Sequence, residues 1–182
     1  SLCINPNDNS FERQFYIGET KHTLSLGGAH SVNTPESFEL GPDEILGDFD
    51  VTSMYPSIIL EHKVYPQHLG ESFLKVYSKI RSDRVAAKKA GNKIVDATLK
   101  LSLNGLSGNL QSPFSWCYDP KAVLTIRING QLMLLMLAEA FNEAGARIIQ
   151  SNTDGVFIKY KKSLEPKILE ICKDWEKRTK LG

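Results

Sequence analysis

The sequence predicts an α+β fold, an antiparallel sheet with helices packed on one face, interrupted by a basic helical pair. Along 182 residues the periodicity changes in the order strand, helical hairpin, helix, β-hairpin, helix. That length supplies one full core, or one domain with a substantial insertion. Charge is also segregated. Residues 34 to 50 hold Glu36, Glu39, Asp43, Glu44, Asp48 and Asp50 with no Lys or Arg, whereas residues 75 to 100 hold eight Lys or Arg against Asp83 and Asp96. An acidic arm followed by a basic arm suggests a cation site facing an anion site, and the same pattern also suits two solvated faces. The overall balance of +1, with 41% hydrophobic and 24% charged residues, is ordinary for a soluble globular chain and excludes neither a nucleic-acid nor a small-molecule partner.

The first 35 or so residues are polar and rich in Gly and Asn, and SLGGAHSVN at 25 to 33 reads as a turn between short extended pieces. After Pro42, alternation in EILGDFDV places Ile45, Gly47, Phe49 and Val51 on one face of a half-buried strand and Asp48 and Asp50 on the other. Pro56 suits the first turn of a short helix, because it lacks an N–H where none is needed. The pattern from Glu71 to Ala90 is helical, Gly91-Asn92 breaks it, and a second helix is expected from about Lys93 to Leu106. Asp119-Pro120 pairs a capping side chain with proline at the first helical position and opens a long apolar helix that Gly145 ends. In that helix Met133, Met136 and the leucines are expected to pack under the sheet. ARIIQSN, TDG and VFIKYKK then read as strand, turn and strand, and an amphipathic helix runs from about Leu164 to Lys180.

Three cysteines, Cys3, Cys117 and Cys172, make neither a disulfide framework nor a closely spaced metal pair, which points to a reducing compartment. The apolar stretch at 132 to 138 is flanked by Arg127, Gln131 and Glu139 and is short for a membrane span, and no secretory signal is visible. His30 and His62 have no partner at ligand spacing and read as surface or hydrogen-bonded histidines.

The chemistry starts from two acids a hundred residues apart. Asp50 ends a strand, where a hard divalent cation could take its oxygens, and Asp154 sits in the turn of the later hairpin. Side by side, the two strands would let both acids share metals, although Asp-Gly is equally a common hairpin turn. Arg84 and Lys88, four apart, lie on one helix face. On the next helix Lys93, Lys100, Asn104 and Ser107 fall within about 80° of arc, a polar stripe free of acids except Asp96. A triphosphate is a ligand that needs both a cation set and metal-bearing carboxylates.

Together these segments resemble family B DNA polymerases, of a phage-like kind. DVTSMYPS at 50 to 57 is similar to the family's motif A, Asp-x-x-Ser-Leu-Tyr-Pro-Ser, with Met54 in place of Leu. KLSLNGLSG at 100 to 108 resembles motif B, keeping Lys100, Asn104 and Gly108 but replacing Ser and Tyr by Gly105 and Ser107. NTDG at 152 to 155 resembles motif C, Asp-Thr-Asp-Ser, keeping Thr153 and Asp154 with Asn152 in place of the first acid. Gly27-Gly28-Ala29 resembles the template-contacting Tyr-x-Gly-Gly segment.

The resemblance implies a palm built on an antiparallel sheet backed by helices, with an inserted helical-hairpin fingers subdomain. Residues 1–70 would form the first part of the palm, with the template-contact loop and motif A; 71–106 the fingers hairpin; and 107–182 the rest of the palm, with the motif C hairpin. It implies template-directed DNA synthesis, with Asp50 and Asp154 as catalytic residues holding two Mg²⁺ ions (Mn²⁺ as the alternative), assisted by the backbone carbonyl of Val51. Ser53, Met54, Tyr55, Arg84, Lys88, Lys100 and Asn104 would bind the deoxynucleoside triphosphate, Tyr55 as the gate against a 2′-hydroxyl, and Gly27 and Gly28 the template. The implied partners are primer-template DNA, deoxynucleoside triphosphates and the rest of a polymerase chain, including exonuclease and thumb domains, with no membrane. The implied setting is the cytoplasm of a bacterial or phage-infected cell. The chain opens with Ser and stops on a charged segment ending in Gly182, so a fragment that binds primer-template weakly in isolation is expected. Because of Asn152, a catalytically silent nucleic-acid-binding module with the polymerase fold is the alternative. Asp48 receives no role from the motifs, and Lys159, Lys161 and Lys162 suit either a primer contact or a solvated strand end.

Overall fold

The computed structural model describes residues 11–32, 36–37 and 39–182. It divides into two compact units, one made of the described residues up to Thr52 and from Arg127 to Gly182, the other running from Ser53 to Ile126.

The first unit holds two antiparallel three-stranded sheets. One is a meander of β1 (Glu12–Ile17), β2 (Thr20–Ser25) and β3 (Gly28–Val32). The second takes β4 (Glu44–Asp50), β6 (Gly155–Lys161) and β5 (Arg147–Ser151) in the order β4-β6-β5, with a bulge between Ile148 and Gln150. Side chains stitch the sheets together: Thr20 Oγ1 donates to the Ile148 carbonyl (2.7 Å), Ser151 N donates to Ser31 Oγ (2.9 Å), and His22 Nδ1 lies 2.8 Å from Ser151 Oγ. His22 is fully buried and stacked on Phe15.

Under the second sheet lie the later turns of α4 (Pro120–Glu143) and α5 (Glu165–Thr179). Leu134, Ala138 and Phe141 of α4 join Ile148, Val156, Ile158, Ile168 and Trp175 in the core. Phe141 tilts against Phe49 of β4, and Trp175 Nε1 donates to the Met133 carbonyl (2.6 Å), fixing α5 to α4. Met136 and Leu132 face outward instead, because 3.6-residue periodicity leaves one side of a helix on a single sheet uncovered. By length and composition alone α4 could cross a membrane, but half of that window is buried inside the protein.

In the second unit α1 (Met54–Glu61) buries Met54, Pro56, Ser57, Ile58 and Ile59. The helical hairpin of α2 (Ser72–Lys89) and α3 (Lys93–Gln111) turns through Gly91, whose φ of 72° lies in the left-handed region, and Asn92 caps α3 by accepting from Val95 N (3.2 Å). Tyr77 OH donates to the Leu103 carbonyl (3.0 Å), and Leu103, Leu106 and Leu110 fill the base. The far end is not a core: Ile94 is 81% exposed and Leu101 74%. α3 runs five residues past the expected Leu106, since Gly108 alone is too weak a breaker to end a helix anchored by Leu110. Between α3 and α4, Phe114 and Trp116 are almost fully exposed.

Candidate active site

Asp50 is the last residue of β4 and is paired across the ladder with Gly155, the first of β6. One residue further on, Val51 N donates to the backbone carbonyl of Asp154 (2.8 Å). The chain thereby delivers two carboxylates to one end of two adjacent strands. Directly opposed residues in an antiparallel pair lie about 5 Å apart, so Asp50 and Asp154, offset by one position, are near neighbours. Burial chiefly, then the charges of Asp154 and Asp48, push the Asp50 carboxyl above its usual range. Such mutual repulsion is what a cation between the carboxylates would relieve.

Asn152 takes a different part. Its Oδ1 accepts from Gly155 N (2.8 Å) and Asp154 N (3.3 Å), closing the hairpin as an Asx turn. With both lone pairs engaged, this oxygen is committed to holding Asp154 and Gly155 in place. Gly155 keeps the space before the acids open: a Cβ there would lie 3.4 Å from both Asp50 Oδ1 and Asn152 Oδ1 and 3.2 Å from the Phe49 carbonyl. Beside it a cleft of about 260 Å³ is lined by Asp48, Gln150, Asn152, Gly155 and Phe157.

Gly27 and Gly28 form the tip of the β2–β3 hairpin, beside the Asp154 turn. Gly28 has φ of +147°, and a Cβ on it would fall 2.9 Å from Thr153 Oγ1. α4 supports this tip, with Gln131 Nε2 donating to the Ser25 carbonyl (2.9 Å) and Arg127 Nη1 to the Leu26 carbonyl (3.3 Å).

Within the second unit, Ser53 precedes α1 in a left-handed conformation, φ 50° and ψ 51°. Its hydroxyl does not cap the helix; it accepts from Arg84 Nη1 (3.1 Å). The Arg84 Nε donates to Asp96 Oδ1 (3.0 Å), the one acid of the polar stripe. Lys88, Lys100 and Asn104 are exposed, and Tyr55 is half-buried. The pairings Arg84–Asp96 and Tyr77–Leu103 fix the hairpin register, which places Lys88 on the tip side of Arg84 and Lys100 toward the base.

Several charges prove to be structural. Glu36 pairs with Arg147 (2.9 Å) and Glu44 with Lys159 (3.0 Å), so part of the acidic arm ties down β5 and β6. Lys162 donates to the Pro42 carbonyl (2.7 Å), which leaves the expected lysine cluster largely engaged at the strand end. Sequence reading passed over the Arg84–Asp96 bridge, because residues twelve apart on separate helices meet only through tertiary structure. His22 was missed as well; a histidine within a Thr-rich strand carries no periodic signal.

The donors fit a hard divalent ion: two carboxylates at one strand end, room kept by a glycine, and a backbone carbonyl nearby at Val51. Among the described residues no cluster of three or more His, Cys, Asp or Glu is poised for a metal, so an ion here would need oxygens from a substrate as well.

The fold is one found in family B DNA polymerases. The enzyme of that family from the archaeon Pyrobaculum calidifontis superposes with a TM-score of 0.53 at 17% identity, over 81% of this chain and 26% of its own. In sequence the chain is similar to DNA polymerase II of Escherichia coli, 25% identical over 78% of this chain. It spans about a fifth of that relative, 21% of its length. No family profile matches the chain.

Proposed function

We propose that this chain is the palm and fingers portion of a DNA-directed DNA polymerase of the phage-like family B kind, adding deoxynucleoside triphosphates to a primer 3′ end. The observation that carries the reading is the pairing of Asp50 with Gly155, which makes neighbours of the two acids that the motif resemblance selects. Asp50 and Asp154, with the Val51 carbonyl, are the groups that would hold two Mg²⁺ or Mn²⁺ ions. When bound, such ions acidify the primer hydroxyl and stabilise charge on the phosphorus being attacked.

The remaining roles belong to the protein. Arg84, Lys88 and Lys100 neutralise the triphosphate, and Asn104 extends the Lys100 face as a neutral partner. The N–H groups of Ser53 and Met54, at a helix start whose serine is diverted from capping, offer donors to phosphate oxygens. Tyr55 packs under the sugar and excludes a 2′-hydroxyl, and Gly27 and Gly28 receive the template where no side chain intrudes. The partners are primer-template DNA, nucleotides and the remainder of a longer polymerase chain; the setting is the cytoplasm of a bacterial or phage-infected cell.

The test has two arms. Mn²⁺ titration of the 182-residue chain, followed by electron paramagnetic resonance, should show binding that Asp50→Ala and Asp154→Ala each weaken at least tenfold. Primer extension by the parent protein should fall at least about 10³-fold with Asp154→Ala. Unchanged extension in that variant would overturn the reading. Mn²⁺ binding without any extension by the unmutated parent would favour the silent module, a reading that Asn152 supports by supplying no third acid.

A further inference from the structure

We propose that Asp96, which no motif assigns, is a positioning residue for polyphosphate binding: it holds Arg84 so that its free edge is presented to an anion at the start of α1. The inference rests on the triphosphate-binding role proposed above for Arg84. It concerns Ser53, Arg84 and Asp96 only, all within one compact unit.

An acid in a cationic stripe should weaken anion binding, so its presence needs an explanation. The Arg84 side chain is 17% exposed and that of Asp96 27%, so their 3.0 Å contact is partly shielded from solvent. The carboxylate takes Nε–H, while Ser53 Oγ takes one Nη1–H at 3.1 Å. Nη2 has no acceptor among the described residues. A guanidinium has five N–H donors, and two anchors at its near side leave a two-pronged edge of Nη1 and Nη2 for an incoming phosphate. Without the anchors a long side chain would lose more rotamer freedom on binding. The same network removes the Ser53 hydroxyl from its usual capping position, since it makes no bond to the N–H groups of α1. The Met54 N–H therefore begins α1 without a cap from that hydroxyl, beside the Arg84 contact.

Two effects of Asp96 oppose each other: its orientation of Arg84 favours an anion, and its charge repels one. Asp96→Asn keeps an oxygen acceptor for Nε–H and removes the charge, whereas Asp96→Ala removes both. Isothermal titration of the 182-residue chain with inorganic tripolyphosphate separates them. Asp96→Ala is expected to weaken binding about fivefold, Asp96→Asn to stay within about twofold of the unmutated chain, and Ser53→Ala to weaken it about twofold. Far-ultraviolet circular dichroism confirms that each variant is folded, and the rescue by Asn distinguishes orientation from a general loss of structure.

Asp96→Ala binding as tightly as the unmutated chain, or more tightly, while Arg84→Ala loses binding, would overturn the positioning role and leave the Arg84 assignment standing. Equal binding by the unmutated chain and Arg84→Ala would instead remove the triphosphate role of Arg84, and this inference with it.

Discussion

Asn152 stands where the resembling family carries an acid, and it earns its place through hydrogen bonds: a single oxygen receives two backbone N–H groups of the turn that carries Asp154. Asn152→Ala should therefore cost about 1 to 2 kcal/mol of stability, read from the midpoint of urea unfolding, whereas Asn152→Asp, which keeps the acceptor, should cost less than half as much. Equal losses would mean that the turn does not depend on this oxygen. At Asp50 the sign is the opposite. Its carboxyl sits above its usual range, so the folded state binds the proton more tightly than the unfolded one. That contribution to stability is present at acid pH and is lost as pH rises through the raised value. At neutral pH and in EDTA, Asp50→Asn should accordingly raise the thermal midpoint; a lowered midpoint would show that the charge is tolerated without a cation.

At the scale of elements, the two sheets of the first unit are joined through His22, whose Nε2 is buried with no partner among the described residues and whose burial pushes its pKa down. The unfolded chain takes up a proton near the ordinary value of about 6.5, while the folded one resists until a lower pH. Stability is then full above that ordinary value and is lost as pH falls from it through the folded value. His22→Gln should flatten this slope in denaturant midpoints measured from pH 7 to 5, and an unchanged slope would place the titration elsewhere. Between the two helices under the second sheet, Trp175→Phe should cost about 1 kcal/mol by removing the bond to Met133 while leaving most of the ring in the core. Most helices and the second sheet could be read in advance because their signals are local: the Asp119-Pro120 start, the Gly91-Asn92 break and the alternation of residues 45 to 51. The β1–β2 hairpin could not. Its strands carry mixed polar and aromatic residues, and its face is defined only by the sheet against which it packs.

For the whole molecule, the motifs pointed to the two acids because the spacing of Asp50, Lys100 and Asp154 belongs to a recognisable pattern. They were silent on how each acid is held. The turn oxygen of Asn152, the space at Gly155 and the bridge at Arg84 depend on atoms that meet only after folding. On the proposed polymerase reading, in which this chain supplies the palm and fingers portion, much of the DNA-binding surface would lie in the remainder of the polymerase; the chain spans about a quarter or less of the proteins it resembles. Fluorescence anisotropy with a primer-template should give weak affinity that falls steeply with salt, since contacts to phosphates release counterions. Tight, salt-insensitive binding would contradict that expectation.

The tip at Gly28 carries a consequence for heredity. Its backbone angle disfavours any L side chain, and Thr153 already fills the room that a methyl group would take. In a library randomised at both positions and selected for folding, residue 28 should return as glycine in nearly every survivor. Residue 153 should be free to shrink to serine or alanine but not to grow, so the tip would tolerate drift on only one of its two sides.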